Sequence, residues 1–118
     1  MLQITPRVVD QILVLDCNGR MAMSEDLAFW KNFLKQLVLT TNAVVINLEN
    51  VTYIDSSGLS VLISTYTSAK QRATVMRLAG VNTSIRDLFR ITKLLEVFDI
   101  HDTVYKAVKD LPERAASA

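Results

Sequence analysis

Val44-Val45-Ile46-Asn47-Leu48-Glu49-Asn50-Val51-Thr52-Tyr53-Ile54-Asp55-Ser56-Ser57-Gly58-Leu59 decides how the rest of the chain is read. Ala43 to Leu48 is apolar at nearly every position, the pattern of a central strand covered on both faces. Leu59 to Ala69 follows with helical spacing, and Leu59, Leu62, Ile63 and Tyr66 form a stripe expected to face the core. Between the two, a carboxylate and two hydroxyls sit where a strand hands over to a helix. In α/β proteins ligands and partners meet the fold at such junctions. Asp55 or Ser56 is the expected helix N-cap, because a side-chain oxygen there accepts an orphan backbone N–H. Gly58, in the first turn, lets another backbone come close.

Toward the N-terminus, Leu2 to Val9 reads as a strand, with Pro6 placing it at a sheet edge. Asp10-Gln11 makes a tight turn, although it is not the favoured pair, and Ile12 to Cys17 is a second strand ended by Asn18-Gly19. Ser24 is the expected cap of a helix reaching Leu39, with Glu25 and Asp26 in its first turn. Leu27, Trp30, Phe33, Leu34, Leu37 and Val38 give that helix a broad apolar face. Trp30 and Phe33 read as core, with an aromatic ligand site as the sharper alternative. Thr40-Thr41-Asn42 is the exit turn.

Toward the C-terminus, Thr74 to Ala79 is a fourth strand ended by Gly80. Asn82 or Thr83 caps a short helix with Ile85, Leu88 and Phe89 inside. Arg86, Arg90 and Lys93 lie along one side of it, as a solvated basic edge or an attraction for an acidic partner. Leu94 to Phe98 is expected to be a short last strand. Asp102 or Thr103 opens a final helix with Tyr105, Val108 and Leu111 as its apolar side, closed by Pro112 and followed by a frayed tail, Glu113 to Ala118. The order ββαβαβαβα over residues 1–112 implies one α/β domain: a mixed, mostly parallel five-stranded sheet with about four helices.

The chain has 118 residues, a net charge of +1, 50% hydrophobic and 21% charged residues, which suits a packed domain rather than a disordered one. No basic run stands out, so direct nucleic-acid binding is not expected. The single cysteine, Cys17, leaves no internal disulfide and fits a reducing cytoplasm. No run approaches about 20 apolar residues, so no membrane insertion is expected. His101 and Cys17 are far apart, and there is no Gly-rich phosphate loop or metal-ligand spacing. Catalysis and a cofactor are therefore not expected. Nothing in the sequence sets an oligomeric state.

Two readings of the junction stand side by side. Asp-Ser-Ser-Gly before an apolar run is a common capping sequence. Alternatively Ser56 is a modifiable hydroxyl: a phosphate there adds about −1.5 to −2 charges beside Asp55, and a helix N-terminus tolerates it. Ser56, Ser60, Ser64 and Thr67 follow one another on a small, hydroxyl-rich helix face without long charged side chains near its start. That face reads as a docking surface continuous with Ser56 or as an idle surface.

Over nearly its whole length the chain resembles the STAS domains of bacterial anti-sigma-factor antagonists. The resemblance is strongest from Val45 to Leu59, with weaker support from Gly19-Arg20, Arg86-Asp87-Leu88-Phe89 and Ile91-Thr92-Lys93-Leu94. It implies a partner that is both anti-sigma factor and ATP-dependent serine kinase, captured by the unphosphorylated form. It further implies that the serine directly after the motif aspartate, here Ser56, is phosphorylated, which separates the pair, and that a serine phosphatase reverses the step. By the same resemblance Asp55 places the hydroxyl and Ser57 and Gly58 shape the contact; Asn47, matching a family position at the end of the central strand, either braces the switch loop or makes an ordinary strand-end hydrogen bond. Met21-Ala22 stands where many such antagonists carry an aspartate. A different role in the same family, a scaffold or accessory subunit of a signalling or lipid-transport complex without phosphorylation, is the alternative.

Overall fold

A computed structural model describes residues 2–109 and 111. The expected helix stop Pro112 and the tail Glu113 to Ala118 lie outside these residues. Within them run β1 (Leu2–Val9), β2 (Ile12–Met21), α1 (Leu27–Val38), β3 (Ala43–Ile54), α2 (Ser56–Gln71), β4 (Val75–Ala79), α3 (Thr83–Ile91), a short 3-10 turn (Leu94–Glu96), β5 (Asp99–His101) and α4 (Val104–Lys109). The strands form one sheet in the order β1-β2-β3-β4-β5. Only β1 and β2 are antiparallel; the other neighbours are parallel. This is the expected α/β fold, with β3 at the centre and the proline-bearing β1 at an edge.

The hairpin closes at Val9↔Ile12 through Asp10 (φ 49°) and Gln11 (φ 67°). Both lie in the left-handed region that a two-residue hairpin turn needs to match the strand twist.

Strand alternation divides the core in two. Leu15, Cys17, Val44, Ile46, Leu48 and Leu78 pack under α1, α2 and α3 on one face. Ile12, Val14, Ala43, Val45 and Ala79 pack under Ala107 and Val108 of α4 on the other. Trp30 and Phe33 are half-buried against the first cluster, and Trp30 Nε1 donates to the Leu2 carbonyl at 3.1 Å, tying α1 to the edge strand.

Four local expectations are corrected. First, β2 does not stop at Asn18-Gly19 but runs on to Met21. Register shifts at Asp16/Asn18 and Gly19/Arg20, with Gly19 at φ 111°, let the strand kink and stay paired, and the fully buried Met21 anchors its end. Second, α1 starts later than Ser24. The Ser24 hydroxyl donates to Asp26 Oδ1 at 2.6 Å, the Asp26 cap makes no side-chain cap bond, and Glu25 and Asp26 precede the helix. Third, Leu94 to Phe98 is no strand. Lys93 (φ 63°) ends α3, the 3-10 turn follows, and β5 begins at Asp99. Phe98 is buried against Phe89 and Tyr66. Fourth, Ile63 and Tyr105 are exposed, at 41% and 64%. The buried side of α2 is Gly58, Leu59, Val61, Leu62, Thr65 and Ala69.

Candidate functional site

β2 and β3 end side by side, with Arg20 paired to Tyr53 and Met21 to Ile54. This pairing brings the Met21 carbonyl against the start of α2, where Asp55 N donates to it at 3.3 Å. A Cβ built on Gly58 would lie 1.9 Å from that oxygen, so only glycine lets the helix start this close to the strand. The close approach expected of Gly58 is thus to the backbone of Met21.

Asp55 is the N-cap of α2, and Ser56 is the first helical residue. Asp55 Oδ1 accepts from Gly58 N at 2.9 Å, and Oδ2 accepts from Met23 N at 3.0 Å. The carboxylate therefore clamps two segments: the helix it opens and the loop that leaves β2. The amides of Met23 and Gly58, with lesser help from Ser57 N–H and the charge of Arg20, hold its pKa below the ordinary carboxylate value.

With Asp55 serving as the cap, the Ser56 side chain is exposed, and it makes no hydrogen bond with any described residue. Along α2, Ser60 and Thr67 are exposed while Ser57 and Ser64 are half-buried. The structure thus brings Asp55, Ser56, Ser57, Gly58 and Ser60 together and carries the hydroxyl face on to Ser64.

A groove of about 340 Å³ opens beside Ser56, between α2 and the start of α1. Ser56, Ser57 and Ser60 line one side; Met23, Ser24, Leu27 and Lys31 line the other. Arg20 lies over the Tyr53 ring, 4.4 Å from its centre, at the strand ends next to Asp55. Met23, 76% exposed, and Lys31 were not foreseen from the sequence. Their place depends on α1 packing beside α2, which no local pattern announces.

Asn47 is not where the sequence reading put it. It sits inside β3, not at its end, and is only 4% exposed. Its Nδ2 donates to Asp16 Oδ1 at 2.9 Å and its Oδ1 accepts from Glu49 N at 3.2 Å. Asp16 is also held by the Arg7 guanidinium. Burial opposes ionisation of Asp16, but the bonds from Arg7 and Asn47 and the Arg7 charge outweigh it, and its pKa falls. Asn47 thus ties β2 to β3 by ordinary side-chain hydrogen bonds, the second of its two expected roles.

His101 Nε2 is paired with Asp99 at 2.9 Å, and Arg77 holds the other oxygen of Asp99. Cys17 is buried, which pushes its thiol up to about 12. Among the described residues no three His, Cys, Asp or Glu side chains gather as metal ligands, and no helix is long and apolar enough to cross a membrane.

A family model described as STAS domain matches residues 3–107. An anti-sigma-B factor antagonist from Staphylococcus aureus is 34% identical over 62 residues, covering 52% of this chain and 57% of the relative. The matched part thus spans little more than half the length of that relative. Among solved structures, an anti-sigma factor antagonist from Mycobacterium paratuberculosis superposes with a TM-score of 0.78 at 20% identity, covering 92% of each chain. The Bacillus cell fate determinant SpoIIAA in its phosphorylated form superposes with a TM-score of 0.67 at 15% identity, covering 92% of this chain and 96% of that one. At these identities the structures share the fold.

Proposed function

The chain belongs to the STAS domain family, and we propose that it acts there as an anti-sigma-factor antagonist switched by phosphorylation of Ser56. Unphosphorylated, it captures a partner that is both anti-sigma factor and serine kinase, which frees the sigma factor. The kinase transfers phosphate to Ser56 and the pair separates; a serine phosphatase resets the chain. Asp55, Ser57, Ser60 and Ser64 belong to the docking surface, with Gly58 setting the height of the helix beneath it.

One observation carries this reading: Asp55 supplies the cap, so the Ser56 hydroxyl stands exposed at the mouth of a groove. A residue needed for capping alone would have its oxygen engaged with the backbone. The relatives named as anti-sigma-factor antagonists support the class of partner. A phosphate trapped in an interface without a matching cation is costly to desolvate. A few kcal/mol suffices for release, because each factor of ten in affinity is about 1.4 kcal/mol.

Capture from a lysate of the source cells with the parent chain, Ser56→Ala and Ser56→Asp as baits tests the proposal. The expected result is a kinase-fold anti-sigma factor retained by the parent and by Ser56→Ala and lost by Ser56→Asp. Equal retention by all three, or recovery of transporter subunits in place of a kinase, contradicts it.

A further inference from the structure

We propose that the groove between α1 and α2 is the binding site for the phosphate of phosphorylated Ser56, and that Lys31 is its counter-charge. This rests on the proposed modification of Ser56. The Asp55 carboxylate already takes the Gly58 amide in the first turn of α2, so that donor is not available to such a phosphate. The side chains that reach the groove supply the charge that backbone amides lack.

Lys31 lines the groove together with Ser56, Ser57 and Ser60. It is half-buried, and among the described residues it has no carboxylate partner. Its flexible four-carbon stem ends in a point charge with three donors, which suits a phosphate that is not presented in a fixed orientation. The Ser57 and Ser60 hydroxyls add neutral donors on the opposite wall. The other nearby cation, Arg20, is committed to the Tyr53 ring and to the field of Asp55. The acidic groups on neighbouring elements are Asp55 at the cap and Glu25 and Asp26 before α1, and they act against the phosphate. A single lysine thus holds the modified side chain close to the protein while leaving its net charge negative toward a partner.

The test installs phosphoserine at position 56 of the full chain during synthesis, so that it needs no kinase. Phosphorus-31 NMR then follows the second ionisation of the phosphate, near pH 6, in the parent and in Lys31→Met, Lys31→Gln, Lys31→Arg and Arg20→Met. A nearby cation favours the dianion, so losing it raises the phosphate pKa. The expected rise is about half a pH unit in both neutral Lys31 variants, the size of an exposed ion pair, with the parent value kept in Lys31→Arg and a smaller change in Arg20→Met. Two neutral variants guard against one that misfolds, and thermal unfolding of each checks the fold. No rise in the neutral variants, or an equal rise in Arg20→Met, overturns the assignment of Lys31. Neither outcome bears on whether a kinase modifies Ser56 in the cell, which site mapping decides separately.

Discussion

Gly58 and Asp55 do different work in the same first turn of α2. Gly58 is required by space: any Cβ would overlap the Met21 carbonyl that also receives Asp55 N–H. Both elements are buried there and neither can yield cheaply. Gly58→Ala is expected to cost about 3 kcal/mol in urea unfolding, and a loss under about 0.5 kcal/mol, the range of an inert surface change, would show that the approach is not tight. Asp55 acts through charge. Its carboxyl titrates below its ordinary 3.8 when folded, so as pH falls the unfolded chain takes up the proton first. The stabilisation from its ionised form is complete above about pH 4 and is lost as pH drops through the folded value. The stability gap between the parent and Asp55→Asn should therefore narrow below about pH 4; urea midpoints measured down the pH scale check this, and a constant gap contradicts it. The cap was legible in the sequence because it follows from the local demands of a helix start; Gly58 was legible as a point of close approach, but its partner Met21, at the end of β2, was not. Asn47 was not, since its partner Asp16 lies on another strand.

At the scale of elements, caps and strand ends separate what local chemistry determines from what packing determines. Asn82 was readable as a cap, and its Oδ1 does accept from Ile85 N at 2.9 Å. Ser24 carried the same signal and failed, because its hydroxyl turned to Asp26. Asn82→Ala is accordingly expected to cost about 1 kcal/mol, and Ser24→Ala less than about 0.5 kcal/mol. Thermal or urea unfolding of the pair checks the contrast, and equal losses would contradict it. The run Leu94 to Phe98 misled for a related reason. A short apolar stretch does not distinguish strand from helix by periodicity, and burial of Leu94 and Phe98 beside α3 settled the matter. The second half of β3, Glu49 to Tyr53, was hidden because it shows no strand alternation: Glu49, Asn50, Thr52 and Tyr53 are exposed and only Val51 is buried. Pairing with the extended β2 keeps it a strand up to Ile54.

Across the whole molecule, the sheet and its two cores form a support, and the hydroxyl at the junction sits on its rim. Helices α1, α2 and α3 cover one face and α4 the other, so a charge added at Ser56 displaces no core group. Ser56→Asp should therefore leave the unfolding midpoint within the range of a neutral surface change, about 0.5 kcal/mol, while abolishing capture of the partner. A large loss of stability would mean that release comes from unfolding rather than from a changed surface. The alternation of strands and helices made this architecture readable from sequence, whereas the groove, which needs α1 and α2 side by side, was not. The central claim is that the exposed hydroxyl of Ser56 is the group a kinase modifies. Mass-spectrometric site mapping of the chain after incubation with the captured kinase and ATP tests this most directly: the account predicts a single phosphate, on Ser56. Phosphate on Ser57, Ser60 or another residue, or none at all, would contradict it.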